Sequence, residues 1–303
     1  MHFPGTPLMQ VVRSLLFVPG NQPRMLDKAL GLYPDAVVPD LEDSVPDGEK
    51  DGARRTVSEY LPRLAGRGPL VIPRVNALRS GHFEADLEAV VGPHTVGVSV
   101  GKVGTVQDVQ NISAAMVSLE RKSGIEPGAT RLVLWLESAL AIVNAYAICA
   151  ASPRILGVAF GAEDFTNDME IQRQPDDSEV VHARSVVAIA ARAAGVLAVD
   201  TPYFAFRDVD GLRSNIRSVR KLGYKAKFAI HPAQVDIINE EMSPSATELE
   251  RARRIVAAFE EAERAGRGST SLDGLVIDVP VVKRARKLIE TAEAISSRAR
   301  AGA

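Results

Sequence analysis

Three acidic residues in the middle of the chain stand where a catalyst needs them. The stretch "LVLWLES" delivers Glu137 at the end of an apolar run, and "ILGVAFGAEDF" delivers Glu163 and Asp164 at the end of another. If the two runs are neighbouring strands, about 5 Å separates them, and carboxylates that close repel unless a proton or a cation sits between them. A hard divalent ion takes one or two carboxylates and completes six oxygen ligands with water or substrate, so Mg²⁺ is the best fit for Glu137 and Asp164. The competing reading ties each carboxylate to an arginine as a structural ion pair. The five histidines are scattered and Cys149 is the single cysteine, which disfavours zinc.

Arg74 in "PRVN" offers a planar fork suited to a substrate carboxylate, or else an ion pair with Asp40 or Glu42. The cluster Asp40, Glu42 and Asp43 in "DLEDSV" either orients water around an ion or caps the helix that follows. Two rival chemistries pass through "GVSVGK". The G-x-S-x-G spacing around Ser99 matches a nucleophile elbow, but that motif needs its serine on a sharp turn, and Ser99 sits between two valines inside a strand-like run. Lys102 is placed either for a Schiff base or, more ordinarily, for a salt bridge among acids. No G-x-G-x-x-G follows a strand and there is no P-loop, which argues against dinucleotide or ATP chemistry.

Eight β-rich runs must position these groups: "SLLFVPG", "DAVVPDLED", "LVIPRVN", "VGVSVGK", "LVLWLES", "ILGVAFGAED", "GVLAVDTP" and "KFAIHP". Runs apolar on both faces are parallel strands covered on both sides, and charged helix-period segments follow them, such as 176–194 and 208–222. The pattern predicts a (β/α)8 TIM barrel, with an open doubly wound sheet as the rival. In a barrel the chemistry collects at the C-terminal strand ends, which here carry Gly20 and Asn21, the Asp40 cluster, Arg74 and Asn76, Lys102, Glu137, Glu163 and Asp164, Asp200, and His231. After "IHPAQ" the pattern predicts long helices without further strands. Ser245 and Glu248 form a capping box there, and "RGSTSLDGLVID" reads as a linker. The division is a barrel over 1–234 and a C-terminal helical extension over 235–303.

The composition suits a globular protein: 303 residues, 46% hydrophobic, 24% charged, net charge −2. That balance speaks against nucleic acid or a polybasic membrane surface as partners. No apolar run approaches the roughly 20 residues of a spanning helix, and "VVRSLLFVPG", broken by Arg13, does not read as a signal peptide. A lone cysteine suits a reducing, cytoplasmic location.

These motifs in this order resemble the citrate lyase β-subunit-like branch of the HpcH/HpaI aldolase superfamily, close to malyl-CoA and citramalyl-CoA lyases. The resemblance rests on "SLLFVPGNQPRML", "DLEDSVPDGEKDGAR", "PRVN", "WLESALAI", "FGAEDFTND", "ARAAGVLAVDTPY", "AIHPAQVDIINEEMSPSATELERARRIVAAFEEA" and "VIDVPVVKRARKLI", nearly the whole chain. It implies a barrel assembled as a homotrimer or hexamer, with Mg²⁺ on Glu137 and Asp164 and the substrate carboxylate on Arg74. It implies coenzyme A contacts at Phe17, Arg24, Lys28, Ile230 and His231; Arg24 and Lys28, four apart, can offer two cations to a diphosphate. It also implies that Asp278 in "GLVIDVP" reaches a neighbouring subunit's mouth as acid–base catalyst.

The implied reaction is reversible Mg²⁺-dependent cleavage of a 3-hydroxy-3-carboxyacyl-CoA to acetyl-CoA and a 2-oxo acid. The alternatives are a CoA-free class II aldolase, a citryl-carrier-protein lyase subunit, a thioester hydrolase on malyl-CoA, and a silent scaffold. The "VID" segment favours the free-standing enzyme, on the expectation that subunits of the lyase complex are shorter. Two departures stand out: "VGKVG" where relatives often carry "LPKVE", and "GYKAKFA" where many carry a glycine–lysine pair. The first removes an expected acid near Lys102.

Overall fold

All six residues of "ILGVAF" are buried in the strand they form, the burial that an apolar run without alternation requires. The computed structural model describes residues 12–301; residues 1–11, which include the first residue of the stretch weighed as a leader, and residues 302–303 lie outside the described residues. The described chain divides into two compact units, 12–239 and 240–301.

The first unit begins β1 (Ser14–Pro19), α1 (Pro23–Ala29), β2 (Ala36–Asp40), α2 (Lys50–Ala65), β3 (Leu70–Val71), β4 (Arg74–Val75), α3 (Phe83–Val90) and β5 (Gly97–Val100). It continues α4 (Val106–Lys122), β6 (Arg131–Leu136), α5 (Ala139–Val143), α6 (Ala145–Cys149), β7 (Ile155–Phe160) and α7 (Ala162–Asp168). Then come α8 (Val181–Ala194), β8 (Leu197–Asp200), α9 (Val209–Leu222), β9 (Ala226–Ala229) and α10 (Ala233–Met242), of which residues 233–239 close this unit. Neighbouring strands pair in parallel, and β1 hydrogen-bonds to both β2 and β9. The sheet is therefore closed, which excludes the open doubly wound alternative and gives a (β/α)8 TIM barrel. β3 and β4 are one barrel position in two pieces, because Pro73 between them has no N–H to donate.

Large rings fill the interior below the C-terminal mouth. Phe17 from β1, Trp135 from β6 and Phe228 from β9 stack with centroids 4.5–5.9 Å apart. Trp135 donates its indole N–H to Ser99 Oγ at 2.9 Å. Ser99 is thus a fully buried acceptor within β5, and the nucleophile-elbow alternative has no geometry to stand on.

The helix expected over 176–194 begins only at Val181. Asp176 accepts the Ser178 amide in a local turn, and Asp177 has φ 59°, a left-handed residue that no α-helix contains. Asp177 instead receives Arg173, Arg184 and Asn215.

In the second unit α11 (Ala246–Arg264) starts at the expected capping box of Ser245 and Glu248. The segment read as a linker is an antiparallel hairpin, β10 (Thr270–Leu272) and β11 (Leu275–Ile277), which corrects the expectation of no further strands. Asp273 and Gly274 turn it with φ of 52° and 76°, the doubly left-handed conformation that Asp-Gly favours. The closing helix is α12 (Val279–Ala301). Ile277 is buried with Phe259 and Val282, so the hairpin supplies part of a small core of this unit's own. Among the described residues no helix is long and apolar enough to cross a membrane.

Candidate active site

Glu137 follows directly on β6, two residues beyond Trp135 and on the same face of the strand, so it lies above the ring layer at the mouth. Gly161 follows β7 beside it: a Cβ there would meet the Glu137 Cβ at 2.6 Å, so only glycine admits the carboxylate. Asp164 stands in the first turn of α7, which begins right after Gly161. The two segments are tied together. Asp168, at the end of α7, accepts the Ala139 amide at 2.7 Å, and Ser138 caps α5 through the Ala141 amide.

A cleft of about 570 Å³ is lined by Glu137 and Asp164 with Lys102, Ser138, Asn167 and Asp168. Glu137 and Asp164 share this cleft, and among the described residues neither makes an ion pair with an arginine; Glu137 Oε1 accepts the Lys102 amide at 2.6 Å. Glu163 turns away and pairs with Arg173 at 2.9 Å, so of the two adjacent acids only Asp164 serves the cleft.

The electrostatics follow from crowding acids in a buried place. Burial, then the charges of Asp164 and Glu42, push the Glu137 carboxyl up to about 8. Burial pushes the Glu42 carboxyl up to about 7, Arg74 opposing and Asp43 adding to it. Asp164 is raised by burial and by Asp43, with Lys102 and Arg74 opposing. Glu42 Oε1 is buried without a hydrogen-bond partner. It faces the same narrow space as Glu137 Oε1: a Cβ on Gly101 would lie 3.0 Å from the first and 3.1 Å from the second.

Arg74 is largely buried and held from several sides. Its Nε and Nη2 grip Asp40 Oδ1 and Oδ2, both at 2.7 Å. Its Nη1 meets Asp43 at 2.9 Å and Glu42 at 3.2 Å, and the guanidinium lies 4.6 Å above the Phe17 ring. The ion pair weighed against a substrate role is therefore present, and it orients the fork. Burial works against the Asp40 charge, but the Arg74 guanidinium holds that carboxyl below its ordinary range.

The remaining strand ends divide. Asn76 is buried against Asp86 and the Leu41 carbonyl, and Asp200 is buried against Lys227 and Arg184, so both serve the framework. Arg24 and Lys28 project from α1, exposed. Ile230 and His231 follow β9, and the His231 ring stacks on Phe206 at 4.7 Å. Asp278, in the second unit, is exposed and accepts the Val281 amide at 3.2 Å, capping α12. Sequence reading missed the inward turn of Glu42 and the amide of Lys102 as a Glu137 donor. It also missed Gln234, whose signal was the "HPAQ" stretch itself.

Comparison with known proteins matches the model of a family described as HpcH/HpaI aldolase/citrate lyase to residues 13–232. The chain is 40% identical to the citrate lyase subunit beta of Escherichia coli K12, over 93% of both chains. It is 36% identical to a (3S)-malyl-CoA thioesterase of Cereibacter sphaeroides KD131, over 94% of this chain and 96% of that one. Among solved structures, the protein CitE of Mycobacterium tuberculosis in complex with magnesium, acetoacetate and coenzyme A superposes with a TM-score of 0.78 at 27% identity. That match covers 94% of this chain and 99% of that one. The match to a lyase-complex subunit over its near-full length overturns the expectation that such subunits are shorter, so length does not separate a free enzyme from a complex subunit.

Proposed function

The chain belongs to the HpcH/HpaI aldolase/citrate lyase family, and from that premise we propose that it cleaves a 3-hydroxy-3-carboxyacyl-CoA, reversibly and with Mg²⁺, to acetyl-CoA and a 2-oxo acid. The observation that carries the reading is the pair of arginine-free carboxylates, Glu137 and Asp164, in one cleft beside an oriented arginine. The M. tuberculosis relative complexed with magnesium, acetoacetate and coenzyme A supports the same ligands here.

The donor set fits a hard divalent cation. All its groups are oxygen, the carboxyls of Glu137 and Asp164 are pushed up by burial and then by neighbouring acids whose charge a cation would offset, and Glu42 Oε1 is a buried acceptor without a donor. Among the described residues no three His, Cys, Asp or Glu side chains converge as a ready-made metal cluster. Glu137 and Asp164 would hold the ion, and water or substrate would complete it. When bound, the cation supplies Lewis-acid polarisation of the hydroxy acid's oxygens.

The rest falls to the chain's own groups. Arg74, oriented by Asp40, meets Asp43 and Glu42 through Nη1, and a substrate carboxylate can displace the exposed Asp43 there and take a charge-assisted hydrogen bond. Cleavage breaks the bond between the carbinol carbon and the carbon next to the thioester; the hydroxyl loses its proton, and the thioester enolate takes one. Asp278 of a neighbouring copy is the proposed acid–base group: its carboxylate takes the hydroxyl's proton and, so protonated, gives a proton to the enolate. Lys102 keeps a cation beside Glu42, Asp43, Asp164 and Glu137 and limits their repulsion.

The test incubates the protein with Mg²⁺, acetyl-CoA and, separately, glyoxylate, pyruvate and oxaloacetate, and looks for the condensed thioester by mass. Condensation with one of them, abolished by Glu137→Ala or Asp164→Ala, is the expected result; activity unchanged in both variants would refute the metal pair. A second reading, hydrolysis of the thioester, is favoured by the 36% identical malyl-CoA thioesterase. A free hydroxy acid in place of a 2-oxo acid among the products would establish it.

A further inference from the structure

The segment between α7 and α8, residues 169–180, carries a single basic residue among four acids, and that residue is Arg173. Its guanidinium meets three carboxylates. Nε meets Glu163 Oε1 at 2.9 Å, Nη2 meets Asp177 Oδ1 at 2.7 Å, and Nη1 takes Glu179. A lone exposed ion pair holds little, but this one belongs to a network. The Arg173, Asp177 and Glu179 side chains are only 27, 16 and 11% exposed, and Asp177 is fixed in turn by Arg184 and Asn215. Arg173 is therefore anchored from its own segment, and Glu163 on α7 is the group it catches.

The catch matters because of the next residue. Glu163 and Asp164 are consecutive in the first turn of α7, and the half-exposed Glu163 carboxylate is held there by Arg173. Burial and then Asp43 raise the Asp164 carboxyl, and the Glu163 charge adds to them, so the two neighbours lie within electrostatic reach of each other. Released from Arg173, Glu163 is a third negative carboxylate beside Glu137 and Asp164. A third carboxylate changes which ion such a site prefers. Mg²⁺ takes one or two carboxylates and completes an octahedron with water or substrate, whereas Ca²⁺ accepts about six to eight oxygens in a flexible shell, and its affinity follows the ligand charge count. An extra protein oxygen on the ion also occupies a position that the hydroxy acid needs.

We propose that Arg173 is a positioning residue that selects the ion: by clasping Glu163 it holds the site at two carboxylates, which leaves coordination positions to the substrate and disfavours Ca²⁺ against Mg²⁺. The inference rests on the Glu137 and Asp164 reading above and adds to it the reason the adjacent acid stays out. Arg173 touches neither substrate nor ion and acts through Glu163.

Titration calorimetry of the substrate-free protein with Ca²⁺ and with Mg²⁺ tests this on the wild type, Arg173→Ala, Glu163→Gln and the double variant. Arg173→Ala should gain about tenfold in Ca²⁺ affinity and clearly less for Mg²⁺. Glu163→Gln alone should leave both affinities within about twofold of the wild type, and adding it to Arg173→Ala should remove the gain, the non-additivity expected of a coupled pair. Asp177 keeps Arg184 and Asn215 without Arg173, so the segment should stay docked. Thermal melts check this, and Arg173→Gln takes the place of Arg173→Ala if the latter is unfolded. An unchanged Ca²⁺ to Mg²⁺ preference in the arginine variant, weaker binding of both ions, or a gain that survives Glu163→Gln overturns the inference and leaves the metal pair standing. A wild type that binds neither ion overturns both.

Discussion

The backbone amide of Lys102 donates to Glu137 Oε1 at 2.6 Å from a residue held at φ 57°. A left-handed conformation costs a side-chain-bearing residue about 1–2 kcal/mol, and such cost persists where the surroundings impose it. Here the return is twofold. The turned peptide aims an N–H at a carboxylate in the cleft, and the side chain places Nζ 4.0 Å from Glu42 Oε1.

Replacing Lys102 with glycine separates these two benefits. Glycine adopts the left-handed conformation freely and keeps the amide, so Lys102→Gly should be as stable as the wild type or up to about 1 kcal/mol more stable in urea melts. Cleavage should nevertheless fall, because the crowded acids around Lys102 lose their ammonium. A variant that is destabilised and fully active would contradict both halves of this account.

Gly161→Ala addresses the space that Glu137 occupies. The new Cβ would sit 2.6 Å from the Glu137 Cβ, so the carboxylate must move off its position. Overpacking of this kind costs about 1–3 kcal/mol, and the Mg²⁺-induced rise in melting temperature should shrink with it. Retention of the full Mg²⁺ response would show that Glu137 does not hold the ion.

Much of this arrangement is legible before any coordinates. The strands are legible because buried parallel strands are apolar throughout, and a charged residue closing such a run, as Glu137 does, has nowhere to point but the mouth. What is not legible depends on one torsion angle or one distant partner. Nothing around Glu163 and Asp164 says that Arg173, ten residues on, claims the first and leaves the second. Nor does Glu42 look different from Asp43, although one is buried and the other exposed. The hairpin at Asp273 and Gly274 did carry its signal, but strands of three residues are too short for alternation to register.

Stability should depend on pH through a pair far from the chemistry. Glu120 is fully buried, receives Arg154 twice at 2.6 and 2.7 Å, and accepts the amides of Gly128 and Thr130. Burial alone would raise its carboxyl, but the Arg154 hydrogen bonds and those two amides bring it down from 4.5 to about 2. A carboxyl depressed on folding stabilises fully above its unfolded value and loses that contribution as pH falls toward the folded one. The wild type should therefore lose about 3 kcal/mol from this group between roughly pH 5 and pH 2. Glu120→Gln, already weakened at neutral pH, should show a flatter denaturation profile over that window. Parallel profiles for the two proteins would rule out the assignment.

The last expectation concerns Asp278, whose carboxylate has a structural duty that must be kept apart from any chemical one. It caps α12 through the Val281 amide, and loss of such a cap costs about 1 kcal/mol. Asparagine caps a helix about as well as aspartate but cannot donate a carboxyl proton. Asp278→Asn should therefore melt within about 0.5 kcal/mol of the wild type while turnover falls by about a hundredfold or more, the scale of a lost general acid. Asp278→Ala should lose both. If the proton comes from a neighbouring copy, co-expressing Asp278→Asn with Glu137→Gln must restore part of the activity, since some mixed assemblies pair an intact acid with an intact cleft. Mixtures as inactive as the two parents would place the proton donor in the same chain as Glu137.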